Sequence, residues 1–204
     1  MSDTVKIFER LCKGFPGPTP SFTSIQLLEV FLYIGKYAPV GRKKLSKTLE
    51  IGEGVIRNIL NRLEKARLIK IEDQGCILTD RGLKILKELE NSFLEIGSLN
   101  IELPWSYKHN YTVVVRGKAH MVKKGLEQRD AAIRGGAEGA MILTYVDGRV
   151  EMPGVCVISE EAPDFASKII EIIKPQDKDV VIIAGADDLK KAKYGALAAL
   201  QTLF

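Results

Sequence analysis

The sequence is poor in the residues that form disulfide frameworks and metal centres. Its 204 residues include three widely separated cysteines and two histidines. An odd number of cysteines without a CxxC pair argues against disulfides and against a structural zinc site. No apolar run approaches the roughly 18 residues that a membrane helix needs, and the first residues lack the apolar core of a secretory signal. We therefore expect a cytoplasmic protein with neither a metal ion nor a cofactor.

The motifs of common catalytic sites are also missing, so we do not expect an enzyme. The sequence has no GxxxxGKS/T phosphate loop, no HExxH helix and no Cys–His pair of familiar spacing. Its two glycine-containing candidates have simpler structural explanations. RGGAEGA (134–140) follows a predicted helix, as a C-terminal cap does, and Asp187 in AGADD (184–188) is predicted to cap the last helix.

Positive charge is concentrated in the first half of the chain. Residues 1–96 hold 16 lysines and arginines against 12 acidic residues, whereas residues 97–204 hold 14 of each. The excess is greatest between Gly41 and Lys70, where nine basic residues accompany three acidic ones. Such a surplus suits a polyanionic partner, although a merely solubilising surface has the same composition.

Residues 21–97 show a regular order of helices. Ser24 is predicted to cap a helix ending near Gly35, and a two-turn helix follows over residues 42–49. The turn IGEG (51–54), whose two glycines can take positive φ, precedes a helix from residue 53 or 54 to about Ala66. That helix has one apolar face, formed by Ile56, Ile59, Leu60 and Leu63.

The pattern then changes from helical spacing to alternation. Ile69, Ile71 and Ile77 predict a β-hairpin with its turn over residues 73–75. Thr79 is predicted to cap a further helix that continues to about residue 96. Residues 1–20 are interpreted as an N-terminal arm with one short helix over residues 4–12, followed by an irregular segment rich in proline and glycine over residues 13–24.

This order resembles the winged helix-turn-helix transcriptional regulators. LSKTLEIGEGVIRNILNRLEKARLIKI (45–71) and LTDRGLKIL (78–86) carry the resemblance, which covers roughly residues 21–96. It implies that the helix after the tight turn is a recognition helix and that the hairpin is a wing. The whole chain also resembles an uncharacterised archaeal family that joins such a domain to a C-terminal domain of unknown function.

The resemblance implies a DNA-binding surface on the polar side of the recognition helix. Arg can donate two hydrogen bonds to guanine and Asn can pair with adenine, so we expect base contacts from Val55, Arg57, Asn58 and Asn61. Phosphate contacts are expected from Arg42, Lys43, Lys44, Arg62 and Lys65. The wing tip, residues 72–75, is acidic, and this departure from many wings makes protein contact an alternative role for the hairpin.

From residue 98 the sequence alternates strands and helices. Strands are predicted at 101–105, 111–117 and 179–186, and a hairpin turns at Asp147–Gly148. Helices are predicted at 119–137, 160–173 and after Asp187. The order fits either two hairpin-plus-helix units or a βαββαβ arrangement with a final helix. Both predict an α+β fold of two layers, with a mainly antiparallel sheet and helices on one face.

A ligand pocket is predicted in this second domain, residues 98–204. Its candidate residues are Trp105, Tyr107, His109, Arg116 and Arg134, although the aromatic side chains suit an interface equally well. The sequence as a whole predicts a sequence-specific regulator that binds double-stranded DNA as a homodimer, with a C-terminal domain for dimerisation or for sensing a small molecule. The alternatives are a winged-helix protein-docking module and an enzyme of unrecognised type whose site lies in residues 100–204.

Overall fold

The computed structural model describes residues 4–13 and 21–204. The chain divides into two compact units, Met1–Glu90 and Asn91–Phe204. The boundary therefore lies after Glu90, earlier than the predicted boundary after residue 97. The reason is that Phe93–Gly97 is a strand of the second unit's sheet, whereas the sequence predicted that the preceding helix continues through these residues. Most of the predicted irregular segment, residues 14–20, lies outside the described residues.

The described residues of the N-terminal unit form helices and one short hairpin. Its helices are α1 (Thr4–Lys13), α2 (Ser24–Tyr37), α3 (Arg42–Leu49), α4 (Glu53–Lys65) and α5 (Asp80–Ser92). The hairpin strands are β1 (Ile69–Glu72) and β2 (Gly75–Leu78), which pair antiparallel. Val5 and Phe8 of α1 are fully buried, and the Phe8 ring lies 5.2 Å from that of Phe31 in α2. The helix of the predicted arm is therefore part of this unit's core.

The ends of α2 and α4 differ in detail from the predictions. Thr23, not Ser24, caps α2, because its hydroxyl accepts a hydrogen bond from the Gln26 N–H while the Gln26 side chain accepts one from the Thr23 N–H. In the turn before α4, the residue with positive φ is Glu50, at 51°, whereas Gly52 has φ of −53°. The glycines of this turn therefore do not supply its left-handed residue.

The hairpin is joined to the helices through Val40. Val40 donates a hydrogen bond to the Cys76 carbonyl at 3.2 Å and accepts one from the Cys76 N–H at 2.9 Å, forming a third, one-residue strand. Gly75 lies against this bridge with φ of +132°, and a Cβ there would be 2.7 Å from the Val40 carbonyl carbon. Only glycine combines that backbone conformation with so close an approach.

The start of α5 explains the LTDRG motif. The Thr79 hydroxyl accepts a hydrogen bond from the Gly82 N–H and donates one to the Arg67 carbonyl, so the predicted cap is present. A Cβ on Gly82 would lie 2.1 Å from the Leu68 carbonyl oxygen. The glycine thus allows α5 to pack directly on the backbone between α4 and β1.

The C-terminal unit contains one five-stranded antiparallel sheet in the order β3-β4-β7-β5-β6. Its strands are β3 (Phe93–Gly97), β4 (His109–Val115), β5 (Gly139–Val146), β6 (Arg149–Glu151) and β7 (Asp179–Ala186). Its helices are α6 (Leu126–Arg134), α7 (Ile158–Glu161), α8 (Pro163–Ile173) and α9 (Leu189–Gln201). The α+β class is confirmed. From β4 onward the order is the second of the two predicted arrangements, with β3 added at the sheet edge.

Helices cover both faces of this sheet, so the domain has three layers instead of the predicted two. One face presents Val114, Val181 and Ile183 to Ala166 and Ile169 of α8. Alternate residues of the same strands face the other side, where α6 and α9 lie. The central strand β7 is buried along its whole length. Helices on one face alone would leave half of that strand's apolar side chains in water.

Four other predictions for this unit are corrected. Residues 101–105 form no strand, and the helix predicted over 119–137 begins only at Leu126, after one 3₁₀ turn over Ala119–Met121. The helix predicted over 160–173 is divided into α7 and α8 before Pro163. Asp188, not Asp187, caps α9, because its carboxylate accepts a hydrogen bond from the Lys191 N–H at 2.9 Å. The predicted turn at Asp147–Gly148 is confirmed, with both residues at positive φ.

Replacing Gly82 with Ala should lower the free energy of unfolding of the N-terminal unit by about 3 kcal/mol, because the added methyl overlaps backbone that cannot rotate away. Gly54→Ala is the matched control: a Cβ there meets nothing within 4 Å, so the change should stabilise α4 by up to about 1 kcal/mol. Urea unfolding followed by circular dichroism measures both values. Equal stability of the two variants would refute the packing explanation.

Candidate nucleic-acid interface

The polar face of α4 is opposite its buried face. Ile56, Ile59, Leu60 and Leu63 are buried. Arg57, Asn58 and Asn61 are exposed and lie within about one turn of each other, because residues three and four apart share a helix face. Val55 is half-buried at the flank of this face. The four residues predicted to contact bases therefore form one continuous strip.

Glycines precede both helices of the helix-turn-helix. Gly41 precedes α3 and Gly52 precedes α4, and neither helix start has a side-chain cap. A Cβ at either glycine, or at Gly54, would meet nothing within 4 Å. Both helix N-termini are therefore unobstructed by side chains at these positions, and their N–H groups favour anions such as phosphate.

The basic residues at the start of α3 are all exposed. Lys43 and Lys44 are accessible to solvent, as is Arg42, whose Nε lies 3.7 Å from a carboxylate oxygen of Glu53 in α4. Exposed ion pairs of this kind contribute little free energy, so a phosphate can replace the Glu53 carboxylate as the partner of Arg42. The three residues remain available for the predicted role.

Arg62 contacts protein, which corrects the prediction of a phosphate contact. Its Nη1 donates hydrogen bonds to the carbonyl oxygens of Leu11 at 2.6 Å and Cys12 at 2.8 Å. Its guanidinium also lies 5.3 Å from the centre of the Phe22 ring. The sequence does not reveal this role, because the carbonyls come from the end of α1, about 50 residues earlier. Lys65, one turn further along α4, remains exposed.

The wing carries acidic residues at its tip, as the sequence predicts. Glu72 ends β1, Asp73 follows it in the turn, and both are exposed. Lys70 Nζ lies 2.5 Å from a carboxylate oxygen of Glu72. This tip would repel phosphate, whereas the exposed basic residues at the start of α3 would attract it.

The predicted ligand pocket of the C-terminal unit does not form. Trp105 and Tyr107 pack together with ring centres 5.9 Å apart, above Gly185. His109 begins β4 at the same end of the sheet, whereas Arg116 follows the other end of β4 and bonds to the buried carboxylate of Asp179 at 2.5 Å. Arg134 is exposed at the end of α6, on the opposite face. The aromatic residues are thus structural, and the two arginines are remote from them.

A groove of about 640 Å³ lies elsewhere on the α8 face of this unit. The segment before β4 and the corner between α7 and α8 supply most of its lining, with sheet residue Met141 between them. It is lined by Glu102, Leu103, Pro104, Met141, Ile158, Glu161, Ala162, Pro163, Asp164, Phe165 and Lys168. The alternation of Ile101, Leu103 and Trp105, interpreted as a strand, was the available sequence signal, since all three pack on this face.

The groove therefore combines apolar and acidic lining. Met141 and Ile158 are buried, Leu103 and Phe165 are half-buried, and three exposed carboxylates accompany the single ammonium group of Lys168. Nearby, burial raises the pKa of the Cys156 thiol, and the negative charge of Glu161 and a hydrogen bond to it raise that pKa further. The thiol is accordingly held in its neutral form.

The described residues contain neither a metal-binding cluster nor a membrane-spanning helix. Among residues 4–13 and 21–204, no group of histidine, cysteine and acidic side chains could hold a metal ion. Within the same ranges, every helix is too short or too polar to cross a lipid bilayer.

Known families match the two parts of the chain separately. Residues 26–93 match the family described as the CggR N-terminal DNA binding domain, and residues 107–203 match a domain of unknown function, DUF4443. The central glycolytic genes regulator of Bacillus subtilis (strain 168) is 33% identical over 73 residues, which is 36% of this chain and 22% of that protein. The same regulator of Priestia megaterium is 32% identical over 92 residues, covering 44% of this chain and 27% of that protein.

The chain thus spans about a quarter of the length of these two regulators. A solved structure, the hypothetical protein PH0730 from Pyrococcus horikoshii OT3, is similar over nearly the whole chain. Its TM-score is 0.66 at 31% sequence identity, and the match covers 88% of this chain and 91% of that one. These similarities confirm a winged-helix domain of the transcriptional-regulator type, followed by an uncharacterised domain.

Replacing Glu161 with Gln should lower the pKa of Cys156, because it removes the nearby negative charge that disfavours the thiolate. Alkylation of Cys156 by iodoacetamide, measured by peptide mass mapping, should then reach half its maximal rate at a lower pH. Glu160→Gln is the control, since Glu160 pairs with Arg149 at 3.6 Å and should not affect the thiol. An unchanged pH profile in Glu161→Gln would disprove the assignment.

Proposed function

This chain belongs to the family of the hypothetical protein PH0730 from Pyrococcus horikoshii OT3, and we propose that it is a sequence-specific DNA-binding transcriptional regulator. The observation that carries the proposal is the strip formed by Arg57, Asn58 and Asn61, exposed on a helix whose opposite face is the core of a winged-helix domain. The two curated relatives that this chain matches are regulators of genes, and their similarity to the chain covers this domain.

In the proposed complex, α4 lies in the major groove of the duplex. Arg57 donates to guanine O6 and N7, while Asn58 and Asn61 pair with adenine. Val55 lies near thymine methyl groups. Lys43, together with Arg42, Lys44 and Lys65, contacts phosphates and fixes the register of the helix without reading sequence. Glycines at the starts of α3 and α4 allow the backbone N–H groups to approach the phosphates closely.

The C-terminal unit is proposed to sense a small molecule at the groove beside α8. The groove volume of about 640 Å³ is within the range of small-molecule sites. Its apolar residues suit a hydrophobic body, and its three carboxylates against one ammonium group favour a positively charged head. An organic amine has both features. To regulate DNA binding, such a ligand must bind two states of the protein with unequal affinity.

The protein is further proposed to act as a homodimer, because two-fold symmetric operators require two copies of a recognition helix. An alternative function, docking of another protein through the hairpin, has one observation in its favour: the acidic tip formed by Glu72 and Asp73. Failure of the chain to bind any duplex at low salt, together with retained winged-helix structure, would favour docking over DNA recognition.

Two substitutions should separate base reading from phosphate contact. Arg57→Ala should weaken binding to a selected duplex roughly 10- to 100-fold and remove the preference at one base position. Lys43→Gln should weaken binding to all duplexes alike and reduce the slope of log affinity against log salt by about 0.9. Sequencing of duplexes selected from a random pool and anisotropy titrations at graded salt measure these effects. An unchanged selected sequence in Arg57→Ala would refute the groove assignment.

The groove is tested with phenethylamine, and with 3-phenylpropionate as a probe of similar size and opposite charge. Calorimetric titration of the full chain should detect the amine and not the acid. Glu102→Gln should weaken amine binding, because it removes one of the three carboxylates. Ala162→Trp should abolish binding by filling the groove. Equal binding of the two probes, or amine binding unaffected by both substitutions, would contradict the proposed ligand class.

A further inference from the structure

The end of α1 lies beside the recognition helix and is held there by specific contacts. The carbonyl groups of Leu11 and Cys12 belong to the last turn of α1, where the helix has carbonyls without partners along its own axis. Arg62 Nη1 donates to both of them. A cation at this position is also favoured by the negative end of the helix dipole.

Two further contacts secure the same corner. The Cys12 thiol donates a hydrogen bond to the Phe22 carbonyl oxygen at 3.4 Å, and the Arg62 guanidinium faces the Phe22 ring at 5.3 Å. Burial raises the pKa of Cys12, partly opposed by the charges of Arg62 and Lys13, so the thiol remains a hydrogen-bond donor near neutral pH. Arg62 thus joins the end of α1 and the start of the α2 region to α4.

This arrangement attaches the end of α1, where Lys13 lies, to Arg62 of α4. Lys13 directly follows Cys12, and consecutive Cα atoms are about 3.8 Å apart. The backbone of Lys13 therefore lies beside the Cys12 carbonyl to which Arg62 donates. The Lys13 side chain is exposed. Arg62 itself follows Asn61 and lies four residues after Asn58, one turn along the same side of the helix.

We propose that α1 extends the DNA-binding surface, with Lys13 as a phosphate contact and Arg62 as the positioning residue that holds it beside α4. The inference rests on the proposed function. A duplex whose major groove receives α4 presents phosphates along both flanks of that helix. Lys13 meets the backbone on the flank where α1 ends, and Arg62 contributes to affinity by fixing that end and not by touching DNA.

The experiment measures the salt dependence of binding to a fluorescein-labelled duplex of mixed sequence, with the full chain. Lys13→Gln should reduce the slope of log affinity against log salt by about 0.9, the value for one phosphate contact. Lys87→Gln is the matched control. The Thr4 side chain, at the start of α1, bonds to Glu88, so Lys87 lies near the start of α1. That end is about 15 Å from Lys13, because α1 has 10 residues. The slope measured for Lys87→Gln should equal that of the unmodified chain.

A double-substitution cycle separates positioning from direct contact. Arg62→Met keeps an aliphatic side chain on Phe22 and removes the hydrogen-bond donors. It should reduce the magnitude of the slope of log affinity against log salt by about 0.9, because Lys13 is no longer held. Adding Lys13→Gln to Arg62→Met should then cause no further reduction in the magnitude of the slope. Two direct contacts would instead give a combined decrease of about 1.8. Amide exchange should show faster opening of α1 in Arg62→Met with α4 unaffected.

The outcomes distinguish this inference from the proposed function. Binding by the unmodified chain with an unchanged slope in Lys13→Gln overturns the inference and leaves the proposed function intact. An additive decrease in the double variant overturns the positioning role of Arg62. Absence of binding to any duplex by the unmodified chain overturns the proposed function and this inference together. Because Lys13→Gln alters only an exposed side chain, the inference remains testable even if Arg62→Met does not fold.

Discussion

Burial of one face of α4 is the constraint on which the N-terminal unit depends. Ile56, Ile59, Leu60 and Leu63 have 4% or less of their surface exposed, and each such side chain contributes roughly 2 kcal/mol to folding through the area it removes from water. Because a helix is rigid about its axis, fixing this face inward fixes the opposite face outward. The positions of the arginine and asparagine side chains on the surface are therefore a consequence of the core, and no separate interaction is needed to expose them.

Close backbone approaches then position the other elements around α4. Gly82 lets α5 rest on the carbonyl of Leu68, and Gly75 lets the hairpin lie against Val40. Arg62 attaches the end of α1. Each of these contacts links a segment from elsewhere in the chain to α4 or to the hairpin that follows it. The result is a winged-helix unit whose acidic hairpin tip is chemically different from the basic start of α3, so a polyanion and a basic protein would be attracted to different parts of it.

The C-terminal unit is organised around β7, which is central in the sheet and buried on both faces. On one side, Gly135 and Gly195 allow α6 and α9 to pack so closely that added Cβ atoms would lie within 3 Å of neighbouring atoms. On the other side, α8 and the segment before β4 leave the groove between them. The difference is physical: small residues close one interface, whereas bulky side chains and an irregular segment cannot fill the other completely.

The sequence by itself determined the order of most elements, the α+β class, the turn at Asp147–Gly148 and the polar face of α4, because helical and alternating periodicity and turn chemistry are local properties. It did not determine the role of Arg62, whose partners are carbonyls about 50 residues away, nor the three-layer packing of the sheet. Trp105, Arg116 and Arg134 looked like one pocket in sequence, yet the sheet separates them. Tertiary structure decided these features, because which backbone groups and apolar surfaces meet depends on how distant segments pack.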